Sequence, residues 1–318
     1  MTTTSTASAR ATRYGYLGPE GTFTQMALLA WAESHGGEQT AYGSVDSALE
    51  ALRLGEIDAA MVPIENSVEG GVSATLDALA SGDPLVVIGE VNVPITFVLA
   101  APAGVALADV RSVGTHSHAW AQVRGWMDAN LPRAAYIPTL STAAAAAGLA
   151  DGGVEQGYDA AVCAPIAAAN HGLEVLAENI GDRSEAVTRF VLVARPGTLP
   201  ERTGADKTTV MLFQRDDRAG GLLELLEQFA VRGINMTRLE SRPTKDSLGS
   251  YCFSIDFEGH VLDERVGEAL MGLKRVCAEV RFLGSYPRED GAPVEVAQHT
   301  SDADFGSARE WLRSLRRP

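Results

Sequence analysis

The chain has 318 residues, 46% hydrophobic and 21% charged, which suits a folded protein of about two domains and excludes disorder over most of its length. Twenty-six basic residues against 41 acidic ones leave a formal net charge of −15. Such a charge repels phosphate backbones, so nucleic acid is not an expected partner, and a small anionic substrate would need a locally positive pocket.

Residues 1–12 are rich in Ser, Thr and Ala without an apolar run, which reads as a frayed tail and not as a secretory signal. An apolar run at 14–17 ends in Gly18-Pro19-Glu20-Gly21, and Thr22-Phe23-Thr24-Gln25 then forms a capping box for a helix expected to reach about 34. The same strand, polar turn and helix recur. The apolar stretch 59–64 leads through Glu65-Asn66-Ser67 to a helical run ending near Leu79. Residues 91–108 carry no charge, but Asn92, Pro94, Pro102 and Gly104 break a helix there, so a buried strand and turn are expected and not a membrane span. Residues 110–113 lead through Gly114-Thr115-His116-Ser117 to a helix ending near Asn130; 136–138 lead to Ser141-Thr142 and an alanine run; 158–163 lead to a helix opened by Pro165. A buried strand over 188–193 closes the region. The alternation predicts an α/β fold with mostly parallel sheets.

A linker is expected over 196–206, where Pro, Gly, Thr and charges mix. Beyond it the order becomes strand (207–214), amphipathic helix (220–231), two strands (235–242 and 250–257), helix (263–277) and strand (280–286). That is the βαββαβ ferredoxin-like pattern. The remaining residues are mostly polar, with Trp311, Leu312 and Leu315 among arginines, and suit either a short docking helix or a disordered tail. Cys163, Cys252 and Cys277 are far apart and odd in number, so buried thiols in a reducing cytoplasm are expected, with neither disulfides nor a zinc ribbon.

In α/β sheets, ligands bind beyond the carboxyl ends of strands, where helix N-termini offer unpaired N–H groups and partial positive charge. Gly21-Thr22, Asn66-Ser67, Gly114-Thr115 and Ser141-Thr142 stand at such points, as a carboxylate site or as ordinary caps. Gly15-x-x-Gly18-x-x-Gly21 has the wrong spacing for dinucleotides, and neither a phosphate-binding loop nor a nucleophile elbow occurs. His116-x-His118 lacks a third nearby ligand, so no metal is expected. The lack of cofactor motifs points to a reaction that the substrate itself drives.

Gly18-Pro19-Glu20-Gly21-Thr22-Phe23-Thr24, Pro63-Ile64-Glu65-Asn66-Ser67 and Thr188-Arg189-Phe190, in this order, resemble the motifs of prephenate dehydratases. Glu240-Ser241-Arg242-Pro243 resembles the ligand loop of their C-terminal ACT regulatory domain, and the resemblance runs from about 13 to 286. It implies a bilobal catalytic domain like type II periplasmic binding proteins, one lobe formed by 13–93 with 187–196 and the other by 94–186. A linker (197–205), an ACT domain (206–287) and a tail (288–318) would follow. Only a dozen residues precede the first strand, so the fused chorismate mutase domain of bifunctional relatives is not expected.

The family's reaction removes water and carbon dioxide from prephenate to give phenylpyruvate on the route to phenylalanine, without metal or organic cofactor. The resemblance makes Thr188 the essential hydroxyl and maps family site residues to Asn66 and to Thr115, His116 and Gln122, with Ser117 where a proline is common. Hydroxide leaves poorly, and a threonine is a weak acid, so Thr188 is expected to donate a hydrogen bond to it. Thr22, Ser67 and Phe190 are further candidates for substrate contact. Arg189 meets a substrate carboxylate or points to the opposite strand face, and Glu65 reads as structural. Phenylalanine would act as effector at Gly220, Gly221, Leu222, Leu223, Asn235, Glu240, Ser241, Arg242 and Pro243, in a homodimer or homotetramer joined through ACT domains. Rival readings are arogenate as substrate, a solute-binding protein of the same fold, and a catalytically silent amino-acid sensor.

Overall fold

The computed structural model describes residues 11–31, 37–68, 70–150, 157–244 and 251–316. The first stretch runs β1 (Arg13–Leu17), α1 (Phe23–Ala30), β2 (Glu38–Tyr42), α2 (Val45–Arg53), β3 (Ala59–Asn66), β4 (Gly70–Gly71), α3 (Ser73–Ala80) and β5 (Val86–Pro94). Then come β6 (Val98–Ala101), β7 (Ser112–Thr115), α4 (Ser117–Asn130), β8 (Ala135–Pro138), α5 (Thr142–Ala150), β9 (Ala160–Cys163), α6 (Pro165–Asn170), β10 (Glu174–Ala177) and β11 (Val187–Ala194). The last stretch is β12 (Asp206–Phe213), α7 (Gly221–Ala230), β13 (Met236–Pro243), β14 (Tyr251–Glu258), α8 (Glu264–Val276), β15 (Glu279–Pro287) and α9 (Asp302–Leu315). α1 ends at Ala30 with Trp31 as its cap, short of the expected reach to about 34, which lies outside the described residues.

The first sheet has the order β2-β1-β3-β11-β5, with β4 on β3; the second has the order β10-β6-β9-β7-β8. Both follow one plan. Three successive strands take the order second, first, third; a strand from elsewhere in the chain inserts; the next strand closes the edge. β1 runs parallel to β2 and β3, and β7 to β8 and β9, as the alternation predicts. β6 departs from it, lying antiparallel to both β9 and β10.

The chain divides into two compact units, Met1–Gly70 with Val91–Phe190, and Gly71–Glu90 with Val191–Pro318. In the first, Leu28, Leu49, Leu52, Met61 and Ile64 are fully buried about the first sheet, and Phe97, Leu99, Val113, Val123 and Val162 form the core under the second. Besides the two-residue β4, three elements escape the sequence pattern. β2 and β10 are edge strands; β2 is polar and largely solvent-facing, and the apolar run of β10 is only three residues, Val175 to Ala177. α2 buries Val45, Ala48, Leu49, Ala51 and Leu52, and a reciprocal Ser44–Ser47 cap starts it.

The second unit holds the antiparallel sheet β13-β14-β12-β15. Leu225 and Phe229 of α7 and Val266 and Leu273 of α8 pack on Val210, Leu212, Ile255 and Phe257 of one face. The other face is polar yet buried. Arg238 donates to Asp256 and Ser254, and Thr209 donates to Asp256. Residues 71–90 belong to this unit and lie on that face. Lys207 pairs with Glu90 at 2.8 Å, and Arg281 donates to the carbonyls of Leu79 and Gly82. Gly284 is required there: a Cβ would stand 2.2 Å from the Val87 carbonyl oxygen, and its φ is +120°. The tail forms a helix, α9, tied to α8 through Arg309 and Glu264, with Trp311, Leu312 and Leu315 exposed. Among the described residues, no helix is long and apolar enough to cross a membrane.

Candidate active site

A cavity of about 410 Å³ in the first unit collects the tips of three helices and the ends of two strands. α1 contributes Thr22, Phe23 and Thr24, α4 contributes His116, His118 and Gln122, and α5 contributes Ser141 and Thr142; β3 brings Pro63 and Asn66, and β11 brings Thr188 and Phe190. Each helix presents its N-terminus, so about half a positive charge per helix stands near the cavity. Among the described lining residues there is no Lys, Arg, Asp or Glu. An anion held here would rest on helix ends, hydroxyls, amides and imidazoles.

Local sequence explains why the helices start there. Thr22 Oγ1 accepts from the Gln25 backbone N–H at 3.3 Å, and Gln25 Oε1 accepts from the Gly21 N–H at 2.6 Å. Gly21 itself has φ +83°, and a Cβ there would stand 3.0 Å from Ala167. His116 caps α4 through Nδ1, which accepts from the His118 N–H at 3.3 Å. Ser141 caps α5 by accepting from the Ala144 N–H at 2.9 Å. These caps leave other first-turn N–H groups to bind what enters the cavity.

Thr188 and Asn66, 122 residues apart in sequence, meet in the wall. Asn66 Nδ2 donates to Thr188 Oγ1 at 2.7 Å, while Asn66 Oδ1 accepts from the Val68 N–H at 2.8 Å. The second bond fixes which end of the amide faces Thr188. Thr188, receiving one hydrogen bond, retains its own proton for donation. Phe190 lies two residues on, on the same strand face. The Phe23 and Phe97 rings meet edge to face at 5.7 Å and, with Phe190, Ile95 and Pro63, give the cavity an apolar wall.

Of the residues singled out in the sequence, the structure thus brings Thr22, Asn66, Gln122, Thr188 and Phe190 to one cavity. Ser67, Thr115 and Arg189 are not among its lining residues. Ser67 bonds β11, its Oγ accepting from the Val187 N–H at 2.9 Å. Thr115 is fully buried, and its hydroxyl donates to the Val162 carbonyl at 2.7 Å, tying β7 to β9. Arg189 points to the opposite strand face and pairs with Glu65 at 3.2 Å. Thr24, His118, Phe23 and Phe97 were missed as site residues. His116, which the resemblance maps to the family site, also lines the cavity, whereas His118 entered the sequence reading only as half of a metal pair; no group of three His, Cys, Asp or Glu among the described residues could hold a metal ion.

The residues expected to bind an effector fall in two places in the second unit. Gly220 is the left-handed residue before α7, and Gly221 lines a 220 Å³ pocket with Gln214, Arg215, Arg218 and Arg275. Leu222 packs toward the core, whereas Leu223 is exposed. Asn235 is exposed ahead of β13, whose far end carries Glu240, Ser241, Arg242 and Pro243. Cys252 pairs with Phe213 on one side and Arg242 on the other, so both segments lie at one end of the sheet. Glu240 Oε1 accepts from the Gly71 N–H at 2.8 Å, and Arg242 pairs with Asp77 at 3.1 Å.

Comparison with known proteins gives a consistent picture. A family model described as prephenate dehydratase matches residues 14–198. The prephenate dehydratase of Amycolatopsis methanolica is 45% identical over 306 residues, covering 96% of this chain and 98% of that one. That of Mycobacterium tuberculosis (strain H37Ra) is 45% identical over 312 residues, covering 96% and 94%. The crystal structure of prephenate dehydratase from Arthrobacter aurescens in complex with L-Phe is 56% identical, with a TM-score of 0.91 over 95% of this chain and 99% of that one.

Proposed function

The chain belongs to the prephenate dehydratase family, and from that premise we propose that the cavity converts prephenate to phenylpyruvate, carbon dioxide and water. The observation that carries the assignment to this cavity is the Asn66–Thr188 bond, set among three helix tips. The two carboxylates of prephenate settle against the helix ends and hydroxyls, and its ring lies on the apolar wall. Its volume falls within the range of small-molecule sites. As the ring carboxylate leaves, the electron pair of the breaking C–C bond enters the ring and expels the para hydroxyl. Aromatisation supplies the driving force. Thr188, aligned by Asn66, donates a hydrogen bond to the departing oxygen, and the apolar wall of Phe190 and Phe97 favours loss of the carboxylate by lowering the polarity around it. Prephenate suits the lining better than arogenate, which carries an ammonium: no Asp or Glu among the described lining residues is there to pair with it.

Phenylalanine is the effector in this reading, because the relative from Arthrobacter aurescens was crystallised with L-Phe. Its carboxylate would meet the α7 N-terminus at Gly220 and Gly221, and its amine Glu240, across a homodimer built on the edge strands of the antiparallel sheet. The domain limits follow: catalytic over 13–196, ACT over 206–287. A cytoplasmic site accords with three buried free thiols. The test is phenylpyruvate formation from prephenate and from arogenate, with and without phenylalanine. Turnover of prephenate that phenylalanine alters supports the reading; turnover of neither substrate rejects it.

A further inference from the structure

We infer that a second cavity, within the second unit, binds a small monocarboxylate with an apolar body, its carboxylate taken by the Arg265 guanidinium. The cavity has a volume of about 540 Å³ and lies where residues 202–204, the N-terminus of α8 and the N-terminus of α9 meet. It shares no lining residue with the cavity that holds Thr188, so the binding expected here is independent of the prephenate reading.

Arg265 points to a ligand. It lines the cavity and is only 3% exposed. A guanidinium keeps its charge and carries five N–H donors, and burying one is costly unless a partner takes it up. Among the described residues Arg265 has a single hydrogen bond, from Nη1 to the Glu295 carbonyl at 3.5 Å, and no ion pair. The carboxylates around it are engaged elsewhere. Arg202 Nη1 donates to Asp263 Oδ1 at 3.0 Å and to Asp302 Oδ2 at 2.9 Å. The remaining oxygens of that pair accept from the His260 and Glu264 backbone N–H groups, both at 2.9 Å. Glu264 pairs with Arg309, and Asp206 is held by the Thr203 hydroxyl and the Thr203 and Gly204 N–H groups.

The helix ends add a second contribution. α9 is 14 residues long, and its cap, Ser301, accepts from the Asp304 N–H at 3.3 Å. The Ala303 N–H, in the same first turn, has no acceptor among the described residues. Burial raises the Asp302 carboxyl, and the Glu264 N–H, Arg202 and Arg265 together bring it below the usual carboxylate range, so the Arg265 charge is felt at the α9 tip. Among the lining side chains two arginines balance two aspartates, and the two helix ends leave a surplus of about one positive charge. That surplus suits one carboxylate better than a dianion. A carboxylate can meet the guanidinium edge through two parallel hydrogen bonds, with the Ala303 N–H as a third donor. Val294, Val296 and Ala303 line the rest, and the volume exceeds what a bare ion fills, so the ligand carries an apolar body.

The test is an NMR titration of the full-length protein with phenylacetate, followed on the Arg265 Nε–H and the Ala303 backbone N–H. Neutral phenylacetamide and inorganic phosphate form the other two arms. Phenylacetate should shift both signals saturably, with half-saturation at or below about 10 mM, and the other two should bind at least tenfold more weakly. Arg265→Met, followed on Ala303, should weaken phenylacetate at least tenfold. Val296 is half-exposed, so Val296→Glu keeps the fold and should weaken it equally by setting a like charge in the cavity. Arg265 and Ala303 signals that phenylacetate leaves unmoved overturn the site, even where signals of the Thr188 cavity move. Phosphate or phenylacetamide binding as tightly as phenylacetate overturns the ligand class. Unchanged affinity in Val296→Glu, or in a folded Arg265→Met, overturns the seat of the carboxylate.

Discussion

Removing the Thr188 hydroxyl tests one interaction, the hydrogen bond it offers into the cavity. The side chain is 7% exposed and accepts from Asn66 Nδ2 at 2.7 Å. Thr188→Ala deletes a donor aimed at developing charge in the cavity, worth about 2.7–4 kcal/mol in comparable sites, or about 10²–10³ in kcat. Asn66→Ala keeps that hydroxyl but strips its alignment and leaves the Val68 N–H without the 2.8 Å acceptor. The loss of one buried partner is about 1–3 kcal/mol, so kcat should fall about 5–150-fold. The pair supplies the sharper test. If Asn66 acts through the Thr188 hydroxyl, the double variant should be no slower than Thr188→Ala within about threefold. Independent effects would instead multiply, to about 10³–10⁵. Steady-state phenylpyruvate formation at saturating prephenate measures all four proteins, and circular dichroism checks that each is folded. A Thr188→Ala rate within tenfold of wild type, or a double variant in which the losses multiply, refutes the reasoning.

Other consequences follow from side chains away from the cavity. Arg189→Gln leaves Glu65 without its partner at 3.2 Å; with Glu65 about a third exposed, the loss should be about 1–2 kcal/mol. Calorimetry should show the midpoint falling by about 2–8 °C with KM for prephenate within threefold; a tenfold rise in KM at an unchanged midpoint would return Arg189 to the substrate. Lys207→Met removes the cation paired with the buried Glu90 carboxylate and should cost about 3–5 kcal/mol, whereas adding Glu90→Leu should restore most of it in urea unfolding. Burial pushes the Cys163 thiol up to about 12 and the Cys277 thiol up to about 11. Both stay protonated at pH 8, so a thiol reagent should label the native protein slowly and all three cysteines only after denaturation. The sign for stability follows. The unfolded chain releases these protons near pH 8.5 and the folded one holds them, so their contribution is full below that value and is lost as pH rises toward about 12.

Much of the site was legible because it is built from helix starts, and helix starts have short-range signatures. Thr22 with Gln25 three residues on, and Ser141 ahead of an alanine run, each mark an N-terminus from a handful of residues. The convergence of those termini on one cavity is a long-range fact that no local pattern carries. For the same reason Thr115 misled: a hydroxyl beside a helix tip resembles a ligand contact in sequence, yet its nearest acceptor is the Val162 carbonyl of the adjacent strand. Arg189 follows strand alternation, which decides between faces only once Thr188 is placed. β2 stayed hidden because an edge strand needs few apolar side chains to hold its place, and β10 because its apolar run, Val175 to Ala177, is only three residues long. The buried polar face of the antiparallel sheet was equally invisible. Asp256, Arg238 and Thr209 alternate with apolar residues as a solvent-facing row would, and only residues 71–90 lying over them remove the water.

The most direct measurement is the product balance of the purified full-length chain supplied with prephenate. The account predicts phenylpyruvate and carbon dioxide in equal amounts, formed together, and a rate that collapses in Thr188→Ala. Prephenate consumed without carbon dioxide, or left intact by the folded wild type, would contradict it.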